Sequence, residues 1–150
     1  MSEAPTMLDW IKKHIAEYKT DPEKAHMWDS SMLGGPGPVP TLLLTVTGRK
    51  TGRRLSTPLI YTPQGSGFAI IASKGGWPTH PVWFLNLEAD PKVEIQVATK
   101  HYKGTARVAT GAEREKIWAD MAKIYPPYDA YAVTATQAGR EIPVVVIDPV

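Results

Sequence analysis

"KVEIQVATKHYKGTARVA", residues 92–109, is the stretch on which the fold turns. Its opening residues alternate without a break. Val93, Ile95 and Val97 fall on one side, and Lys92, Glu94 and Gln96 on the other. Successive side chains of an extended chain point to opposite faces. The pattern is therefore a strand with one face in a core and one in water, the habit of antiparallel sheets. "YKGTARVA" (102–109) is expected as its hairpin partner, returning across a short "TKH" link.

Other strand-like segments lie to either side. "TLLLTVT" (41–47), "STPLIYT" (56–62), "FAIIAS" (68–73) and "IPVVVI" (142–147) are rich in apolar and β-branched residues, with Pro143 at a strand start or edge. Three helices are expected. Over 7–19, Leu8, Ile11, Ile15 and Tyr18 form one apolar stripe; "HPVWFLNLEADP" (80–91) carries Pro81 in its first turn. The third opens on a Thr110-x-x-Glu113 capping box, runs through Ile117, Trp118, Met121, Ile124 and Tyr125, and stops at Pro126-Pro127. "LGGPGPVP" (33–40) has three glycines and three prolines in eight residues, which cannot continue regular structure. Hairpin-linked strands with few helices argue against a doubly wound sheet. They predict an α+β fold, mainly β: an antiparallel sheet rolled into a small barrel with helices over its openings. Residues 1–40 form an N-terminal helix and a rigid lead-in, and 41–150 the barrel domain.

Composition narrows the function classes. At 150 residues one domain is expected, and a net charge of +2 is too balanced to point to nucleic acid. Cysteine is absent, which removes disulfides, thiol nucleophiles and Cys-based zinc sites, and fits a reducing cytoplasm. The histidines (14, 26, 80, 101) lack metal-ligand spacing and suit surface or capping roles, so no metal is expected. The N-terminus has no signal-peptide core, and no run approaches the ~20 apolar residues of a spanning helix. A peripheral membrane contact through the basic helix at 7–19 is the lesser reading of that segment.

Two clusters carry chemistry. "TGRKTGRR" (47–54) crowds Arg49, Lys50, Arg53 and Arg54 between two strands. A solvated hairpin tip is one reading; a site for a small multiply anionic ligand is the other, since arginine forks match phosphate and carboxylate oxygens. Ser73-Lys74-Gly75-Gly76 is the second cluster, where glycines let successive backbone N–H groups face one concavity beside a lysine charge. Neither a Walker loop nor a Gly-x-Ser-x-Gly elbow is present. "YPPYDAY" (125–131) spaces Tyr125, Tyr128 and Tyr131 three apart, as core or as pocket donors, and Trp77 between Gly76 and Pro78 is placed to act as a lid.

Together, "TGRKTGRRLSTPLIY", "ASKGGWPTHPVWFLNLEADPKVEIQV" and "YPPYDAY…IPVVVIDP" resemble the deazaflavin-dependent nitroreductase family, over roughly residues 40–150. The resemblance implies a split β-barrel, of the kind that also binds FMN, and an enzyme using the deazaflavin coenzyme F420. It implies that Arg49, Lys50 and Lys74, with the backbone of Gly75 and Gly76, hold the coenzyme's phosphate and acidic tail. Pro58, Ser73, Trp83 and Asn86 would lie near the ring or support its pocket. Trp77, Tyr125, Tyr128 and Tyr131 would close the substrate side, with Ser73, Tyr125 and Tyr128 as catalytic donors. The family commonly has an arginine three residues before the proline of its Pro-Leu strand; here that position is Leu55, and Arg54 stands one residue earlier. The implied reaction is hydride transfer from reduced F420 to a small electron-poor acceptor: a quinone, an activated enone or lactone, or a nitroaromatic. The rival readings are an FMN oxidoreductase on the same barrel and a non-catalytic coenzyme or quinone carrier. Monomer and homodimer are both compatible with such barrels.

Overall fold

The computed structural model describes residues 7–150, with side chains from Asp9 onward. Leu8, expected on the apolar stripe of the first helix, lies outside the described side chains. The elements are α1 (Met7–Thr20), α2 (Pro22–His26), β1 (Met27–Asp29), β2 (Pro38–Thr47), β3 (Arg54–Gln64) and β4 (Gly67–Ile71). They continue with α3 (Val82–Ala89), β5 (Lys92–Val97), β6 (Lys100–Val108), α4 (Gly111–Ile124), α5 (Pro127–Gln137) and β7 (Val144–Pro149). Every strand pair is antiparallel, in the order β1-β2-β3-β4-β7-β6-β5, and a β2–β5 pairing closes the last six into a barrel. The expected antiparallel barrel is the fold, with β1 as a seventh strand on its margin.

The alternation read in the sequence is the division between barrel interior and exterior. Val93 and Ile95 point inward with Leu42, Leu44, Val46, Ile70, Val145 and Ile147, all buried in one cluster. Phe84 and Leu87 of α3 join that cluster. A second core lies outside the barrel, where α4 and α5 cover the outer faces of β4 and β7 through Ala69, Ile71, Val144 and Val146. Strands β4 and β7 are thus covered on both faces, which is why "FAII" and "VVVI" read as unbroken apolar runs. A third, smaller group joins Tyr18, Ala25 and Leu43, and the Tyr18 hydroxyl donates to the Thr41 carbonyl at 2.6 Å. Burial pushes the Tyr18 phenol up to about 12. Ile15 and Tyr18 of the α1 stripe are therefore packed against the barrel, and among the described residues no helix is long and apolar enough to cross a membrane.

Several boundaries differ from expectation, each for a physical reason. The 92–109 hairpin turns on Ala98 and Thr99 alone, because Ala98 adopts a left-handed φ of 52°; Lys100 and His101 belong to β6. Strand β2 starts at Pro38, inside the stretch read as irregular: its first residues pair only with the short β1, where a missing N–H is tolerated. Five α-helices are present among the described residues, where three were expected. Asp21 caps α2 by accepting from the Lys24 amide at 3.3 Å, and Pro126-Pro127 both ends α4 and seeds α5. Thr110 makes no side-chain cap bond. Glu113 instead receives two bonds from the Arg107 guanidinium, at 2.5 and 3.0 Å.

Ile147 is fully buried inside the barrel. Ile147→Ala should cost about 2–5 kcal/mol of unfolding free energy, read from urea midpoints at unchanged slope.

Candidate functional site

A cleft of about 610 Å³ opens outside the barrel, between the outer face of β3, the loop after β4, and helices α1 and α5. Its floor is Pro58, Ile60 and Ile71. Ser73, Lys74 and Gly75 form one rim with Trp77, and Tyr125, Tyr128 and Tyr131 form the wall beside it. The opposite wall is Trp10, Ile11 and His14 of α1, with Trp28 of β1.

The rim is built by backbone geometry. Lys74, Gly75 and Gly76 take successive positive φ values of 47°, 62° and 81°. Gly76 has a second constraint: a Cβ there would lie 2.6 Å from the Tyr131 carbonyl oxygen, so α5 can dock only on a glycine. Gly76 is accordingly buried behind the rim. The left-handed conformation of a non-glycine residue at Lys74 is strain of the sort found at binding loops. The Lys74 ammonium donates to Thr79 Oγ1 at 3.1 Å and stands 5.5 Å from the centre of the Trp77 ring, while that indole is 63% exposed. Ser73 Oγ makes no hydrogen bond to the described residues.

The tyrosine wall is a packed aromatic group. Tyr125 and Tyr128 meet edge to face with centroids 4.9 Å apart, and Tyr131 lies within 6.3 Å of both. The hydroxyls of Tyr125 and Tyr131 are 2.8 Å apart, and Tyr125 also reaches the Leu33 carbonyl at 3.3 Å. Burial, reinforced by the Tyr131 contact, raises the Tyr125 phenol well above the usual range. Burial and the neighbouring phenols do the same to Tyr128. At neutral pH these groups are proton-bearing donors, not bases.

The basic hairpin tip is anchored from α3. Gly48 and Gly52 close the 48–53 loop through Gly48 N–H to the Arg53 carbonyl (2.7 Å) and Gly52 N–H to the Gly48 carbonyl (2.8 Å). Asn86, only 2% exposed, accepts from both the Arg49 backbone N–H (3.1 Å) and its Nη1 (3.0 Å). Arg49, Lys50 and Arg53 have no acidic partner among the described residues. Arg54 does: it donates to Thr47 Oγ1 at 2.7 Å and pairs with Glu94 at 3.4 Å. Strand parity puts Arg54 on the outer face with Ser56 and Pro58, and Leu55 on the opposite one. Trp83 lies partly buried against the barrel interior, edge-on to Phe84. Of the residues singled out from sequence, Pro58, Ser73, Lys74, Gly75, Trp77 and the three tyrosines line the cleft; Arg49, Lys50, Arg54, Gly76, Trp83 and Asn86 do not. Lys74 and Arg49 are nevertheless linked through one short element. The first bonds to Thr79 just ahead of α3, the second to Asn86 midway along it, and an eight-residue helix is only about 12 Å long.

Two contributions escaped the sequence. The α1–β1 wall did, although the stripe of Ile11 and its neighbours was visible as a packing face. His14, read as a surface or capping residue, donates through Nε2 to the Ala25 carbonyl (2.8 Å); its ring stacks with Tyr18 and Trp28. The other is Arg140, a single cation in a polar turn, which the structure buries to 7% exposure behind the rim.

The family model described as F420H(2)-dependent quinone reductase matches residues 23–149. An F420H(2)-dependent quinone reductase of Mycobacterium tuberculosis is 40% identical over 114 residues, spanning 75% of this chain and 75% of that protein. A solved F420-H2 dependent reductase (FDR-A) superposes with a TM-score of 0.65 at 38% identity, over 72% of this chain and 93% of its own. A solved domain-swapped dimer gives 0.69 at 32% identity, over 95% of this chain and 100% of that one.

The Asn86 anchor makes a prediction of its own. Asn86→Ala should cost about 1–3 kcal/mol, because two Arg49 donors lose their acceptor. Arg49→Ala should cost less, since its backbone N–H still engages Asn86; equal losses in urea unfolding would contradict the anchoring role.

Proposed function

The chain belongs to the F420H(2)-dependent quinone reductase family and is an F420-dependent oxidoreductase; from that premise we propose that the cleft holds reduced F420 beside a quinone and promotes hydride transfer between them. One observation carries the reading: the anion-suited rim of Ser73, Lys74 and Gly75 and the apolar slot of Pro58, Ile60 and the tyrosines are walls of the same cleft. A flat ring with a phosphate and carboxylate tail needs that pairing. The side-chain-free positions of the rim and its lysine fit such a tail, and the aromatic walls fit such a ring.

When bound, the reduced coenzyme supplies the hydride. The protein's share is binding, orientation and charge stabilisation. Lys74 and the rim amides hold the phosphate. Arg49 and Lys50, their loop fixed by Asn86, meet the outer acidic tail, with Arg54 tempered by Glu94. Pro58 and Ser73 face the ring, and Trp83 supports the pocket from the barrel side. Trp77 covers the rim. On the acceptor side, negative charge developing on a carbonyl oxygen is met by Ser73 and by the hydroxyls of the tyrosine wall. The Tyr125 proton has two acceptors, Leu33 O at 3.3 Å and Tyr131 at 2.8 Å. When it points to Tyr131, the Tyr131 O–H is free to donate into the cleft, and Tyr128 packs against both rings. The same donor arrangement suits activated enones, lactones and nitroaromatics, which gather charge on oxygen in the same way.

Fluorescence titration with F420 and rapid mixing of the reduced coenzyme with menadione test the reading. Micromolar binding followed by oxidation is expected; binding without oxidation would make the protein a carrier, and a copurifying yellow flavin spectrum would replace F420 with FMN. Lys74→Ala should weaken F420 binding about tenfold or more, as loss of a charge-assisted contact does. Tyr125→Phe should keep coenzyme affinity and lower turnover by about 10²-fold, the usual effect of losing an ordered donor. Full turnover on every acceptor would remove that hydroxyl from the mechanism.

A further inference from the structure

Arg140 is a buried cation with no acidic partner among the described residues. A guanidinium is costly to bury unless its donors are satisfied, and here neutral acceptors satisfy them. Nε donates to His80 Nδ1 at 2.8 Å; Nη1 is shared between the Ser73 carbonyl at 2.9 Å and the Trp77 carbonyl at 2.8 Å; Nη2 donates to the Ala72 carbonyl. One side chain thereby ties both ends of the 73–77 rim to the turn that precedes α3. Accepting through Nδ1 requires His80 to be neutral with its proton on Nε2. Burial first, then the Arg140 charge, holds His80 below the ordinary histidine range, with Glu88 opposing.

The clamp has a directional consequence. All peptide bonds here are trans, so each N–H points opposite to the carbonyl of its own peptide unit. With the Ala72 and Ser73 carbonyls turned onto the guanidinium, the Ser73 and Lys74 amides face the other way, on the side where these residues line the cleft. The same clamp holds the left-handed run from Lys74 to Gly76 and sets a fixed positive charge behind it.

We infer that Arg140 is a positioning residue for anion binding: it aims the Ser73 and Lys74 amides into the cleft and places a buried positive charge beneath them. This rests on the proposed coenzyme site and names the part of the coenzyme that the clamp serves, its phosphate. Removing the clamp should therefore harm the phosphorylated coenzyme selectively. The isoalloxazine-like ring, held by the apolar walls, should hardly be affected.

The test is fluorescence titration with F420 and with its deazariboflavin core, which lacks the phosphate and the tail beyond it, on wild type, Arg140→Lys and Arg140→Met. Lysine keeps the charge but cannot reach four acceptors. Both variants should weaken F420 by about 10- to 100-fold and leave the deazariboflavin within about twofold. An unchanged F420 affinity, or an equal loss for the two ligands, overturns the inference. Should either variant lose cooperative unfolding, His80→Leu and His80→Asn carry the same test with Arg140 in place. Leucine should produce the selective loss, and asparagine, whose Oδ1 takes the position of the imidazole Nδ1 and can accept from Nε, should largely restore binding; loss with neither or with both overturns it. Failure of wild type to bind F420 at all would instead sink the proposed function.

Discussion

The site depends on the pairing of β4 with β7. The ladder runs from Phe68 opposite Ile147 to Ile71 opposite Val144, and both faces of both strands are covered. In an antiparallel pair the exit of one strand adjoins the start of the other. Residues just beyond Ile71 must therefore lie beside residues just before Val144, and the Ala72 amide duly bonds to the Pro143 carbonyl at 3.0 Å. That single register brings Ser73 and Trp77 within reach of Arg140, more than sixty positions away in sequence. It also sets the rim at a rigid strand end, where its unusual backbone angles can be maintained against their cost.

Two cores on opposite sides of one sheet divide the labour. The interior cluster stiffens the barrel and includes α3, whose Asn86 holds the arginine tip while Thr79, just ahead of the helix, accepts from Lys74. The exterior cluster packs α4 and α5 on β4 and β7 and, at its edge, leaves the three tyrosines facing a cleft. The cationic rim and the tyrosine wall meet where Gly76 packs against the Tyr131 backbone, so a side chain added there would disturb both at once.

Much of this was legible in the sequence. Strict alternation in Val93–Val97 identified an antiparallel sheet, and the apolar runs at 68–73 and 142–147 identified two more of its strands, because periodicity and residue type are local properties. The Ser73–Gly76 rim and the tyrosines were legible as residue types suited to a task. What escaped is non-local. Arg140 is one cation in a polar turn, and only the β4–β7 register gives it meaning. The α1–β1 wall was visible as an apolar stripe, but a stripe does not say whether it covers a core or a cavity. The Thr110–Glu113 box failed for a local reason: Arg107, near the end of β6, takes the carboxylate. Helix α5 was hidden by the two prolines, which were read as a stop when the second is also a good start.

The cleft draws one wall from residues 10–28 and another from residues 125–131. A chain that stops short of residue 125 lacks one of those walls. A molecule that settles there engages only the finished topology, and its binding free energy is added to that of the whole domain. Occupancy and conformational integrity are thereby one equilibrium, and scarcity of the coenzyme would leave the protein less resistant to unfolding.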